Sequence, residues 1–380
     1  MMWLAKSPVK SRVQSIALIV LGAFAQYAIA DVAPETTGTT TMADPQESWV
    51  FVHDGAGPIY IIDAASGDMH GLLSSTSYTP SVAVHLKRGE IYSAERYYAR
   101  KYRGARTDVV TIYNFDDLAA VAEIKIPDKI ASLGFPQYIS LMDNQRHLAV
   151  FNMTPAQSVS IVDIRDRSFV GEISTPGCAL IMPTGDRGFT QICGDGTLQL
   201  IRLDRNGAEN GRSRSAVFFD IDEDPVYDKP VATADGWLFV SFEGKVFEAT
   251  VDDDQISISQ PWSVLQEDDV EEQWRPGGGQ LLAYYAELDL IFLLMHQGGV
   301  DTHEEPGTEI WVLDRVSQRR IHIIALEQAG TNIHVSKGDD PLLSVIGIDR
   351  QLHVFDVHTS KLLRSVAGIG VSPGLIQGFH

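Results

Sequence analysis

From Trp49 onward the chain alternates apolar and polar positions in short runs, and one unit keeps returning: an apolar strand ending near Asp or Asn, a polar turn, then a second apolar strand. The copies are "IYIIDAASGDMHGLL", "VTIYNFDDLAAVAEIKI", "VSIVDIRDRSFVGEI", "LQLIRLDRNGAENGR", "VFEATVDDDQISIS", "IWVLDRVSQRRIHIIAL" and "LHVFDVHTSKLLRSV". Their turn residues are Asp63, Asn114, Asp163, Asp204, Asp252, Asp314 and Asp356, at steps of 51, 49, 41, 48, 62 and 42 residues. A period of roughly 40 to 50 residues with several strands in each is the signature of a β-propeller, one blade per repeat. A β-sandwich would give strands that do not repeat. The pattern therefore predicts an all-β, seven-bladed β-propeller over residues 48–380. The acidic run "SVLQEDDVEEQW" is expected as a short loop helix inside the longest step, between the fifth and sixth blades.

The ends of the repeat array differ from its middle. "SYTPSVAVHLKRGEIYSAE" reads as an inner strand, a turn and a second strand ahead of the repeat at Asn114. The array opens with "WVFVHDG", which has no such inner strand before it, and ends with "GVSPGLIQGF", which looks like one with nothing after it. Ring closure is thus expected through the C-terminal strand, which would complete the first blade and remove an open edge.

Before the repeats, Lys6, Lys10 and Arg12 precede an apolar run from Ile16 to Ala30 that finishes in "AIA". The run is nearer fifteen residues than the roughly twenty that span a bilayer. It reads as a signal peptide over 1–30, cleaved after Ala30, followed by a Thr-, Pro- and acid-rich disordered leader over 31–47. The exported chain would carry 27 basic and 50 acidic residues, a net charge of −23. That makes nucleic acid and anionic membrane poor partners.

Only two cysteines occur, Cys178 and Cys193 in "TPGCALIMPTGDRGFTQICGDGT". With "TGDR" as the turn, Pro183 opposes Gly188, Met182 opposes Phe189, Leu180 opposes Gln191, and Cys178 faces Cys193 across adjacent antiparallel strands. In an exported chain this favours a disulfide, and closing a loop of this size contributes roughly 3 kcal/mol in the chain-entropy view. Half of a metal site is the weaker reading, since no CxxC or HxxxH spacing supplies further ligands.

A catalytic constellation is not evident. There is no HExxH, GxSxG, P-loop or GxGxxG leading into a helix. His296, His303, Glu304 and Glu305 share a Gly- and Pro-containing stretch that could suggest a metal loop, but acids beside His on such a loop are more often solvated, and no metal is expected. "RPGGGQ" at 275–280 reads as a tight loop, not a phosphate cradle. "RGARTD" at 103–108 places two arginines and an Asp in a long hairpin, as an internal ion pair or a subunit contact. Trp49, Trp237, Trp262, Trp274 and Trp311 are spread through the repeats and read as packing residues.

Local motifs add a resemblance. "RGARTDVVTIY", "FNMTPAQSVSIVDI", "TPGC" followed by "ICGDGTL", "WRPGG", "LLMHQGG" and "PGTEIWVLD", in that order, resemble the heavy subunit of the quinone-dependent methylamine and aromatic amine dehydrogenases. The resemblance implies a periplasmic seven-bladed propeller in an α2β2 assembly with a small, disulfide-rich light subunit. That subunit would hold tryptophan tryptophylquinone and the catalytic base, would deaminate primary amines to aldehyde and ammonia, and would pass electrons to a blue-copper protein of the amicyanin or azurin type. No catalytic residue and no cofactor would then reside in this chain. It also implies a single intrablade disulfide, which the cysteine pair fits. One departure stands out: the loop between the first two strands, which in the family carries an aromatic residue to the substrate channel, is here only "HDGAGP", flanked by Phe51 and Tyr60. The expected channel or light-subunit contacts are Phe51, His53, Tyr60, Arg103, Arg106 and Asp108. The alternative is a stand-alone exported propeller that binds a ligand or protein without redox activity.

Overall fold

The computed structural model describes residues 41–77, 81–131 and 134–379. The expected signal peptide, its cleavage site and leader residues 31–40 lie outside the described residues. Of the remaining leader residues, Met42 donates its amide to Asp116 O at 2.8 Å and lays its side chain on the core formed by Trp49, Phe51 and Phe115.

The architecture is an all-β propeller. Pro373–Gly378, Trp49–Asp54, Pro58–Asp63 and Met69–Ser74 form the first sheet in that order, and Val82–His85, Glu90–Arg100, Arg103–Asn114 and Ala120–Ile126 the second. Ile139–Leu141, His147–Asn152, Ser158–Asp163 and Ser168–Ser174 form the third, and Cys178–Pro183, Gly188–Cys193, Leu198–Leu203 and Glu209–Arg214 the fourth. The fifth is built on Gly236–Val240 and Lys245–Asp252.

The expected seven separate blades are not what the strand pairing gives. Five blade-sized sheets are followed by one continuous eight-stranded sheet that contains both the Asp314 and the Asp356 repeats. The cause is the 17-residue strand Arg319–Val335. It pairs with Gly307–Asp314 through its first half and with Leu342–Gly347 through Gly330 to Val335, so no turn separates the two repeats. The expectation of a seven-bladed ring closed by the C-terminal strand is corrected with it. Pro373–Gly378 enters as the edge strand of the first sheet, its Ile376 opposite Val52 and its Leu375 opposite His53.

The recurring Asp residues have a local cause. Asp163 Oδ1 accepts the amides of Arg165 and Asp166 at 2.9 and 3.0 Å, and Asp204 Oδ1 those of Asn206 and Ala208 at 2.8 and 3.0 Å. An Asp at a strand end thus supplies the acceptor that a tight turn needs. Alternation does the rest, sending one side of each sheet toward the next. Tyr92, Val110 and Ile112 of the second sheet meet Ile139, Leu148 and Val150 of the third, while Ile91 and Tyr113 face Phe51, Ile59 and Ile61 of the first. The helix expected in the acidic run is Glu267–Glu271; Gln266 N is held by Asp269 Oδ2 at 2.8 Å, and Asp269 by Arg320 at 2.9 Å.

Candidate functional site

Two rims of loops flank the sheets. On one, successive turns touch through backbone bonds: Gly55 N to Ser372 O, Met153 N to Lys129 O, Thr175 N to Gln157 O, Gly194 N to Gly177 O, Phe218 N to Gly196 O, Phe242 N to Pro225 O and Gly298 N to Gln273 O. Every candidate contact lies within a strand: His53 sits one residue from the rim end of Trp49–Asp54, Arg103, Arg106 and Asp108 in the half of Arg103–Asn114 nearest this rim, and Phe51 and Tyr60 deeper in the first sheet. The same rim carries the disulfide. The other rim holds the recurring strand-end Asp turns, among them those at Asp63, Asp163 and Asp204.

Cys178 and Cys193 are bonded and nearly buried, with Cα atoms 4.0 Å apart. The sequence register holds at this end, but Met182 pairs with Thr190 and Pro183 with Phe189, one residue away from expectation. The hairpin turn is one residue longer than "TGDR", since Thr184 N bonds Gly188 O. A bulge between Ala179 and Met182, with Leu180 at φ 69°, absorbs the extra residue and restores the cysteine pairing.

The short first turn is tied down on both sides. Asp54 accepts the amides of Ala56 (2.9 Å) and Val371 (2.7 Å), and Ser77 Oγ donates to Ala56 O at 3.0 Å. Phe51 has no exposed surface and stacks on Phe379 at 4.0 Å, so it belongs to the core, not the rim. Tyr60 is half-buried against Val50, Val52 and Ile62. His53 is buried, and neither ring nitrogen has a hydrogen-bond partner among the described residues. Burial pushes its pKa down to about 3, with the Gln377 carboxamide opposing weakly, so the ring is neutral at physiological pH.

On the long hairpin the ion-pair reading of "RGARTD" describes the geometry. Arg106 meets fully buried Asp108 through Nε to Oδ1 at 2.6 Å and Nη2 to Oδ2 at 2.5 Å, which holds the guanidinium above its ordinary pKa. Asp108 Oδ2 also accepts Ile130 N at 2.8 Å, and Arg106 Nη2 donates to Ile130 O at 3.2 Å. The pair thereby clips the hairpin to the loop entering the third sheet. Arg103, at the tip, is exposed.

Two features escaped sequence reasoning. Glu95 is fully buried and receives three hydroxyls, Thr111 Oγ1 and Tyr113 OH at 2.7 Å each and the Tyr97 hydroxyl. Burial, reinforced by Glu95, raises both tyrosine pKa values. The alternation Ser93, Glu95, Tyr97 was the available signal, a polar face where an apolar one is usual. The second is a cleft of about 260 Å³ between the turns near 221–227, 242–243, 275–276 and 299–303. His303 stacks on Phe242 at 4.4 Å, Phe242 meets Tyr227 at 4.6 Å, and Tyr227 OH donates to Pro276 O at 2.7 Å. Arg275 Nε and His303 Nδ1 are buried without partners among the described residues. The stretch considered as a metal loop assembles no set of three or more potential ligands among the described residues; His296 Nε2 pairs instead with Thr302 Oγ1 at 2.9 Å.

In the same region two of the sequence motifs meet in space. Arg275 of "WRPGG" lies opposite His296 of "LLMHQGG" on paired strands. Gly277 packs on the imidazole so closely that a Cβ there would fall 2.4 Å from His296 Nδ1 and 2.7 Å from Glu305 O. Residues 47–379 match the family described as methylamine dehydrogenase heavy chain (MADH). The chain belongs to the methylamine dehydrogenase heavy chain family. A methylamine dehydrogenase heavy chain from Methylophilus methylotrophus is 26% identical, covering 95% of this chain and 94% of that protein. One from Paracoccus versutus is 29% identical over 83% of this chain and 75% of that protein. Among solved structures, a periplasmic gluconolactonase, PpgL, from Pseudomonas aeruginosa superposes with a TM-score of 0.61 at 16% identity, covering 87% of this chain and 98% of the other. A functionally unknown protein from Desulfotomaculum acetoxidans gives 0.60 at 10% identity, covering 88% and 99%. These two likenesses concern the fold alone.

Proposed function

We propose that this chain is the non-catalytic heavy subunit of a periplasmic amine dehydrogenase. It would be exported by a signal peptide cleaved after Ala30, would join a small light subunit in an α2β2 assembly, and would work with a blue-copper electron acceptor. The observation that carries this reading is the family match over residues 47–379, which takes in every described sheet. Tryptophan tryptophylquinone, in the light subunit, would supply the electrophilic carbonyl and the two-electron sink that ordinary side chains lack.

This chain's own part is scaffolding and enclosure. The rim carrying the first turn and the 227–303 cleft offers loops, held by the Asp54 and Tyr227 bonds, against which a light subunit would seat. His53, kept neutral by burial, places no positive charge near an approaching ammonium substrate. Gating by an aromatic residue on the first loop does not transfer from the family, since Phe51 is in the core and "HDGAGP" contains none.

The test is amine-dependent reduction of a dye acceptor with methylamine, phenethylamine and tyramine. The mature chain alone should give no turnover; the chain purified with a light subunit should turn over at least one of them and show quinone absorbance. Turnover by the isolated chain, or its isolation from native periplasm without any small partner, would overturn the reading.

A further inference from the structure

The two strands Glu90–Arg100 and Arg103–Asn114 are 11 and 12 residues long, and their outer halves have no flanking strands. On one side the neighbour Val82–His85 pairs only as far as Ser93; on the other, Ala120–Ile126 pairs only from Tyr113 to Asp108. About five residues on each arm therefore run on as a two-stranded ribbon, projecting about 17 Å beyond the sheet. That ribbon is the most basic stretch of an acidic chain. "RYYARKYRGAR" at 96–106 holds five cations and no acid, in a protein of net charge −20. Arg106 is used by Asp108, but Arg96, Arg100, Lys101 and Arg103 form no ion pair among the described residues. Tyr97 and Tyr102 are 41% and 70% exposed, and Lys101 sits 5.2 Å over the Tyr102 ring.

Arg and Tyr are both enriched in protein interfaces, and here they sit together, exposed, on one projecting ribbon. The complementary surface is in the same molecule. Glu267, Asp268, Glu271 and Glu272 are exposed on and beside the helix Glu267–Glu271. None of the four has an ion pair among the described residues, and exposed Val270 sits among them. Gln297 Nε2 donates to Glu272 O at 3.1 Å, which fixes the helix to the 297–298 turn and so to the rim from which the hairpin projects. The two patches belong to loops far apart along that rim, with three sheets between them in the chain.

Two patches of opposite charge on one rim are matched by a two-fold axis lying in the plane of that rim midway between them. The rotation brings the hairpin of each copy onto the acidic helix of the other, twice over, as an isologous contact requires. We propose that the 96–106 hairpin is the docking arm for a second copy of this chain, seated on the partner's acidic 267–272 segment. The contact is steered by charge, so it weakens with salt. It deepens the α2β2 assembly proposed above by naming where two heavy chains would meet, and rests on that reading for the expectation of two copies.

The experiment is sedimentation velocity on the mature chain without a light subunit, at low and high salt. The wild type should sediment as a dimer at low salt and dissociate as salt rises. Arg100→Glu/Lys101→Glu/Arg103→Glu and, separately, Glu267→Lys/Asp268→Lys/Glu271→Lys should each weaken self-association tenfold or more while retaining the wild-type circular dichroism. An equimolar mixture of the two variants should recover the dimer, because reversed hairpin then meets reversed helix while the native patches pair with each other. A monomeric wild type, variants that dimerise normally, or a mixture that stays monomeric would overturn the proposal. So would loss of light-subunit binding with self-association intact, which would give the hairpin to that partner. Failure here leaves the enzymatic reading to its own activity test.

Discussion

The Arg106 guanidinium grips both carboxylate oxygens of Asp108, at 2.6 and 2.5 Å, and Asp108 has no exposed surface. Removing one partner of such a pair leaves a buried charge without compensation. Arg106→Ala should therefore cost about 3–5 kcal/mol, far more than a surface pair would. Replacing both residues by apolar ones should cost much less than the two single losses added together. Chemical denaturation of the four proteins forms the cycle, and additive losses would show that the two side chains do not act as a pair.

Buried, neutral His53 sets an acid limit. Its folded pKa of about 3 lies below the unfolded value near 6.5. Between those values the unfolded chain binds a proton that the folded chain refuses. Its effect on stability is thus nil above pH ~6.5 and increasingly unfavourable as pH falls toward 3, by up to about 1.4 kcal/mol per pH unit. His334, pushed down by burial to about 4, adds a parallel loss over pH ~6.5 to 4. His53→Leu should flatten the fall of melting temperature between pH 6 and 4 by one proton's worth. An identical pH profile in the variant would mean that His53 titrates normally.

The disulfide closes a 15-residue separation between neighbouring strands. Intact mass should be two protons below the reduced value, with no thiol alkylated until reductant is added. The Cys178→Ser/Cys193→Ser double variant should lose about 3 kcal/mol. Two thiols modified in the native, unreduced protein would contradict the pairing.

How much of this was legible depended on how local its cause was. Asp163 and Asp204 announced their turns because the bonds that make those turns reach only two to four residues ahead. The cysteine pairing was legible from strand alternation, even though the register failed at Met182, because a longer turn and a bulge at Leu180 cancel at Cys178. The eight-stranded sheet was not legible: Gly330, Thr331 and Asn332 look like a turn inside residues 319–335, and whether a strand stops there is decided by which neighbours pair with it. The candidate Phe51 went to the core for a similar reason, since its partner Phe379 lies more than 300 residues away. The 227–303 cleft was invisible because Tyr227, Phe242, Arg275 and His303 come from four segments separated in the chain.

Gly277 offers the sharpest check on the packing that joins the "WRPGG" and "LLMHQGG" segments. An added Cβ would meet the His296 ring at 2.4 Å and the Glu305 carbonyl at 2.7 Å. The ring cannot easily swing away, because Nε2 is bonded to Thr302 Oγ1, which in turn donates to Gly299 O at 2.8 Å. Burial holds His296 below its ordinary pKa, so the ring enters this packing uncharged. Gly277→Ala should thus overpack the site and cost about 1–3 kcal/mol. Gly299 of the second motif, which has nothing within 4 Å of an added Cβ, is the internal control, and Gly299→Ala should be close to neutral. Trimming the ring should restore part of the loss, so Gly277→Ala should cost less in a His296→Ala background than in the wild type. Equal melting temperatures for Gly277→Ala and Gly299→Ala would show that the two segments are not held together by this contact.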